Sequence, residues 1–327
     1  MKIIIPRILL AWLAAGLIAS IPAWAQSYPV KPVRILVGYT PGGGVDTTAR
    51  IVAAALSETW GGSVIVENRP GASGNIATEL TAKAAPDGYT LVLCNIGSHA
   101  ITPARFRARL TYDPVRDFAF PAMIGGVPNV LMVHPSMPTG TLKEYIAYAK
   151  AHPGKINFGS SGVGGSPHLS MELFKSIAGI NIVHVPYKGA AAALADVMSG
   201  HMESSVGNLA GGPLAAIKAK RVRALGVTSA QRNAQVPDVP TFQEQGVQDY
   251  DVTGWYGLCT QAKVPPAVLA KINTDLNRLL NAPALKKRLE DQGIAVSPTT
   301  QEAFAAHVKR ETERWTQVVR EAKLTGQ

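Results

Sequence analysis

Three apolar runs early in the chain, VRILVGY (33–39), SVIVEN (63–68) and YTLVLCN (89–95), lack sustained alternation of apolar and polar positions. Such runs suit strands covered on both faces, as in a parallel sheet. Between them the period changes. In DTTARIVAAALSETW (46–60), Ala49, Val52, Ala53, Leu56 and Trp60 fall on one face at helical spacing, and GNIATELTAKAA (74–85) forms a second helix. Gly61–Gly62 and the Pro-Asp-Gly at 86–88 end the two helices.

The same grammar returns later. Strands are predicted over 155–160, 180–187, 202–208 and 222–229, with helices over 167–179, 190–200 and 212–220. Strands separated by single helices imply two similar α/β lobes, each a doubly wound, mostly parallel sheet. Two extended apolar runs without helices, GGVPNVLMVHP (125–135) and DVTGWYGLCTQ (251–261), read as the crossing between lobes and the return. Residues 26–130 with 251–327 then make the first lobe, and 131–250 the second. The tail from Pro265 is helical and is expected to brace the first lobe and run toward the second.

The first 25 residues stand apart. Lys2 and Arg7 precede an apolar stretch (8–18) and an Ala-Trp-Ala box (23–25), the pattern of a secretory signal peptide cleaved after Ala25. The apolar stretch is short for a membrane span, and no later segment reaches the ~18 apolar residues a spanning helix needs. An exported, periplasmic protein is expected. The formal charge of +10 falls to +8 without Lys2 and Arg7. Basic clusters at 105–109 and 218–223 are short and hold one aromatic, Phe106, which argues against nucleic acid and for anionic small molecules. Cys94 and Cys259 cannot form a disulfide framework. Their apolar surroundings favour buried free thiols, while export permits one disulfide.

Each lobe opens with the same device. TPGGGVD (40–46) follows the first strand of one lobe, and SSGVGGSPH (160–168) follows the first strand of the other. Glycines let backbone N–H groups turn inward, and a helix N-terminus adds free donors and a positive dipole end. Two facing loops of this kind make an anion seat without arginine. Asp46 and Ser166 occupy positions expected to cap the two helices.

Nucleotides are a poor fit. The P-loop lysine is missing, and G-x-G-x-x-G fails at its last glycine, which falls on Thr47 from Gly42 and on Pro167 from Gly162. No nucleophile elbow, HExxH, CxxC or metal-ligand spacing occurs, so neither cofactor nor metal is expected. A hydrolase using Ser161 or Ser166 with His168 lacks an orienting group. His168 is read as capping or packing its turn, and His184 as a core group.

The ordered series YTPGGGVDTTAR, VIVENRPGASGNIA, PDGYTLV, GSSGVGGSPHLSMELF, HVPYKG, VRALGVTSAQRNAQVPDVPTFQEQG and WYGL resembles the Bug family, the extracytoplasmic solute receptors of tripartite tricarboxylate transporters. The resemblance extends over nearly the whole chain after residue 25. It implies a type II-like, two-lobed Venus-flytrap binding protein, a monomer and not an enzyme, that closes on a small carboxylate. The bound form would be read by two membrane subunits, or by a sensor protein. By motif the resemblance nominates Tyr39, Pro41, Gly42, Gly43 and Asp46 in one lobe. In the other it nominates Ser160, Ser161, Gly162, Ser166, Tyr187, Lys188 and Gly189. Asn95, Ser98, His99 and Asn208 lie in loops expected to set specificity. Ser73 departs from the pattern, standing where glycine is common, and Gly207 stands where an acidic residue often sits.

Overall fold

One twisted sheet carries both α/β halves. The computed structural model describes residues 28–106, 110–248 and 250–321, so the signal-peptide reading of residues 1–25 falls outside the described residues. Strand β1 (Val33–Val37) leads through helix α1 (Gly44–Trp60) to β2 (Val64–Asn68). Helix α2 (Asn75–Ala82) then leads to β3 (Thr90–Asn95), and a π turn (Gly97–Ile101) runs into α3 (Thr102–Phe106). The long strand β4 (Phe118–Val133) is followed by α4 (Leu142–Ala151), β5 (Asn157–Ser160), α5 (Ser166–Ala178), β6 (Val183–Pro186) and α6 (Ala190–Met198). Next come β7 (Ser204–Asn208), α7 (Gly212–Lys218), β8 (Arg223–Val227) and the returning strand β9 (Thr253–Gln261). Helices α8 (Pro266–Asn281) and α9 (Pro283–Glu290), the short β10 (Ala295–Val296) and α10 (Gln301–Glu321) complete the described chain.

The sheet order is β2-β1-β3-β9-β4-β7-β5-β6, with β8 and β10 also pairing β4. Parallel ladders lie where the helical spacing predicts them, joining β1 to β2 and β3, and β5 to β6 and β7. The centre is antiparallel: β9 pairs both β3 and β4, and the far end of β4 pairs β7 and β8. The crossing segment is therefore one 16-residue strand that serves both halves, beginning well before residue 125.

Apolar faces cover this frame. Val33, Ile35 and Val37 of β1 share a core with Leu56 of α1 and with Ile272 and Leu276 of α8. On α10, Phe304, Val308, Glu311, Trp315 and Val319 recur at helical intervals and are buried. That helix ties segments together: Thr312 Oγ1 donates to the His99 carbonyl (2.9 Å), and Arg314 donates to the Asp251 carbonyl (2.7 Å).

The free-thiol expectation is corrected. Cys94 and Cys259 form a disulfide between neighbouring strands β3 and β9, with Cα atoms 5.7 Å apart. Both lie in apolar runs as read, but antiparallel pairing of segments 165 residues apart brings the sulfurs together. His99 lies near both sulfurs, yet with these joined the trio offers no metal a thiolate.

Candidate functional site

The first glycine loop joins β1 to α1. Gly43 is the capping residue and contributes no side chain, so the cap assigned to Asp46 is corrected. Asp46 lies inside the first turn, where its carboxylate reaches back to the Gly42 N–H (3.0 Å), accepts from Asn68 Nδ2 (2.9 Å) and pairs with Arg50 (2.9 Å). Burial pushes this carboxyl upward, but the bonds from Arg50, Asn68 and Gly42 outweigh it and hold the group below its ordinary value. The negative charge is thereby spent on shaping the loop. The N–H groups of Gly44 and Val45, in the first turn, have no acceptor within the helix by its geometry.

The second loop joins β5 to α5, and Gly165 caps it without a side chain. The cap assigned to Ser166 is corrected in the same way: its Oγ accepts from Asn129 Nδ2 (3.0 Å), while Asn129 Oδ1 accepts from Asn208 Nδ2 (2.9 Å). His168 caps the turn as read, with Nδ1 accepting from the Gly164 N–H (3.0 Å). Its ring stacks on His184 at 3.8 Å, and His184 Nε2 meets Ser160 Oγ at 2.7 Å. Burial, then the charges of Lys175 and Arg105, lowers His184 to about 4. Burial, then His184 and the same two cations, lowers His168 to about 2. Its Nδ1 lone pair is occupied by a backbone donor, so His168 is not placed to activate Ser161 or Ser166.

The two loops meet. Thr40 N–H points at the Lys188 carbonyl (3.4 Å), Ser73 Oγ donates to the Val163 carbonyl, and Thr102 Oγ1 donates to the Gly164 carbonyl (3.2 Å). Gly189 is required by this approach, since a Cβ there would stand 2.0 Å from Thr40 Oγ1. Gly162, at φ +137°, holds a conformation that side chains disfavour.

Between the loops lies a small cavity of about 20 Å³, lined by Tyr39, Gly43, Ser161 and Asn208 together with Gly44, Val45 and Ala190. Beside it a cleft of about 230 Å³ is lined by Ser161, Gly162, Tyr187 and Lys188, with Gly38, Gly71, Ala72, Ser73, Val163 and Pro186. Lys188 is the one charged side chain among these lining residues. Larger hollows of about 580 and 570 Å³ lie elsewhere, and neither glycine loop contributes to them.

Other nominated residues support the loops from behind. Pro41 and Gly42 form the turn that Asp46 holds. Asn95 Oδ1 accepts from the N–H groups of Gly97 (2.8 Å) and Ser98 (3.2 Å), and Ser98 Oγ pairs with His99 Nδ1 at 2.9 Å. Ser160 is occupied by His184 and by Gly162. The Tyr187 hydroxyl donates to Asp196, leaving its ring to line the cleft. Sequence reasoning missed Gly44, Val45, Ala190 and the 71–73 segment. The RPGASG motif was visible, but nothing local shows that Ser73, at φ 55°, crosses to the other loop.

The model of the tripartite tricarboxylate transporter family receptor matches residues 48–324. The chain belongs to that family. The receptor is 33% identical to the protein BugT of Bordetella pertussis over 312 residues, 95% of each chain. It resembles the solved structure of Rpa4515 from R. palustris with adipate at a TM-score of 0.86 and 34% identity, covering 90% of this chain and 98% of that one. It also resembles MatC from Rhodopseudomonas palustris with bound malate, at a TM-score of 0.85 and 30% identity, over 89% and 100% of the two chains. The receptor is a solute-binding protein, not an enzyme.

Proposed function

We propose that this receptor captures a small carboxylate between its two glycine loops, in the periplasm, and presents it to the two membrane subunits of a tripartite tricarboxylate transporter. The observation that carries the reading is the lining of the cleft: backbone donors, hydroxyls and amides, with Lys188 as the single charged side chain. Such a surface suits a singly or doubly charged organic acid and offers too little positive charge for a polyphosphate. The similar proteins solved with adipate and malate support the same ligand class.

In this reading residues 26–130 with 251–327 form one lobe and 131–250 the other. Their contacts at Thr40–Lys188, Ser73–Val163 and Thr102–Gly164 belong to the closed arrangement. A ligand touching both loops stabilises closure by its differential affinity for that state. Residues 1–25 direct export, and the mature monomer begins at Gln26.

The test is a thermal-shift screen of organic acids on protein refolded to strip retained ligand. A binder present at 100 times its Kd stabilises the folded state by about 2.7 kcal/mol, a shift of several degrees. Silence across C3–C8 mono- and dicarboxylates would overturn the carboxylate reading.

A further inference from the structure

Strand β9 brings to the first loop a hydroxyl that packing alone does not explain. Tyr256 is fixed from both sides, opposite Asn95 of β3 and Gly125 of β4. It is 2% exposed and shares an apolar cluster with Tyr39, Val45 and Ala210. Among the described residues its hydroxyl has no hydrogen-bond partner. The five other buried tyrosines each have one: Tyr28 to Gly88, Tyr39 to Ser73, Tyr112 to Asn75 and Ser98, Tyr145 to Ser204, and Tyr250 to Ser170. A buried hydroxyl without a partner is costly, and phenylalanine would fill the same space without that cost.

The position of this hydroxyl matters. It abuts the opening residue of α1, where a Cβ on Gly44 would stand 3.1 Å from it. Gly44 and Val45 also line the small cavity between the loops. Two independent features therefore converge at one place: the free N–H groups opening a 17-residue helix and an unpartnered, fully buried phenol. Burial, with the nearby Tyr39 hydroxyl, pushes the Tyr256 phenol well above 10, so it remains a donor.

We propose that Tyr256 is a ligand-contact residue whose hydroxyl donates to a carboxylate oxygen seated at the first turn of α1. This rests on the reading of the glycine loops as a carboxylate seat. The phenol O–H, beside Gly44, and the helix N–H groups are all donors, and an ionised carboxylate supplies only acceptors. A carboxamide of the same shape brings its own N–H groups and cannot satisfy them all. The arrangement therefore selects a free carboxylate over its amide.

The experiment compares wild type, Tyr256→Phe and Tyr39→Phe by calorimetric titration. The probe is whichever of malate, adipate and their C3–C8 homologues binds wild type most tightly. Losing a hydrogen bond to a charged group weakens binding by about 10- to 100-fold in Tyr256→Phe. Its ligand-free Tm should hold or rise, whereas Tyr39→Phe, which strands the Ser73 carbonyl, should lower it. Tyr256→Phe binding within twofold of wild type overturns the assignment while leaving the seat intact. Wild type binding none of the acids overturns the seat and this assignment together. Should Tyr256→Phe not fold, a structure of wild type with the acid decides instead. A carboxylate oxygen about 2.7 Å from the phenol oxygen supports the assignment, and one beyond about 4 Å overturns it.

Discussion

Substituting Gly189 by alanine places a methyl group where the first glycine loop meets the turn after β6. The new Cβ would stand 2.0 Å from Thr40 Oγ1, 3.1 Å from Thr40 N and 3.2 Å from Thr40 Cβ. Favourable non-bonded contact begins near ~3.5 Å, so the segments must part by more than about 1 Å or Thr40 must leave its rotamer. A β-branched side chain resists the second course. Gly189 itself is extended, at φ 165°, so alanine adds no backbone strain of its own. Overpacking of this kind costs about 1–3 kcal/mol. On the proposed two-lobe closure the cost falls on the arrangement with these segments in contact, which opening would relieve.

The expected result is a loss of acid affinity of about 5- to 150-fold. The denaturant midpoint of the ligand-free protein should move by less than the equivalent of about 0.5 kcal/mol. Titration calorimetry on wild type, Gly189→Ala, Thr40→Ala and the double variant tests this as a cycle. Thr40→Ala removes the Oγ1 that stands closest, so Gly189→Ala should cost much less in that background. Equal losses in both backgrounds, or a Gly189→Ala Kd within twofold of wild type, would show that Thr40 and Gly189 do not meet in the bound form.

Three further outcomes follow from the same contacts. His99, His168 and His184 are lowered to about 3, 2 and 4, mainly by burial, against an unfolded value near 6.5. The unfolded chain binds more protons below that value, so stability should fall as pH drops from about 6.5 toward 4. The slope is up to about 1.4 kcal/mol per pH unit for each histidine. Denaturant melts at stepped pH should show a shallower slope for His184→Phe, and an unchanged slope would refute the assignment. Asp46 works in the opposite direction of charge: its lowered carboxyl contributes stability above about pH 4 that is lost as pH falls through the folded value. Asp46→Asn should therefore cost about 1–3 kcal/mol at pH 7 and much less below pH 3. The disulfide closes a span of 165 residues, so a reductant should lower stability by about 4–5 kcal/mol. Thiol titration of the unfolded, unreduced protein should find no free sulfhydryl.

Much of the fold was legible because its signals are local. Runs such as VRILV and TLVLCN and the helical spacing of Ala49, Val52 and Leu56 depend only on near neighbours. The antiparallel centre was not legible, since the register that sets Cys94 diagonal to Cys259 joins segments far apart in sequence. At the loops, the letters located both turns but not the partners of their polar side chains. Asp46 and Ser166 have the chemistry of helix caps. Extended backbone at Gly43 and Gly165 fills the cap positions, while Asn68 and Asn129 arrive from other strands to engage the side chains. The roles of Ser73 and Tyr256 were not legible for the same reason, because they rest on what tertiary structure places opposite them.

A crystal structure of the receptor with its tightest-binding organic acid, at a resolution that orders bridging water, tests the carboxylate seat most directly. One carboxylate group is expected between the loops, accepting from the first-turn N–H groups of α1 and reaching Ser161 directly or through water, at about 2.7–3.0 Å per bond. An acid bound instead in the hollow beside Lys309 and Glu313, with no group between the loops, would contradict it.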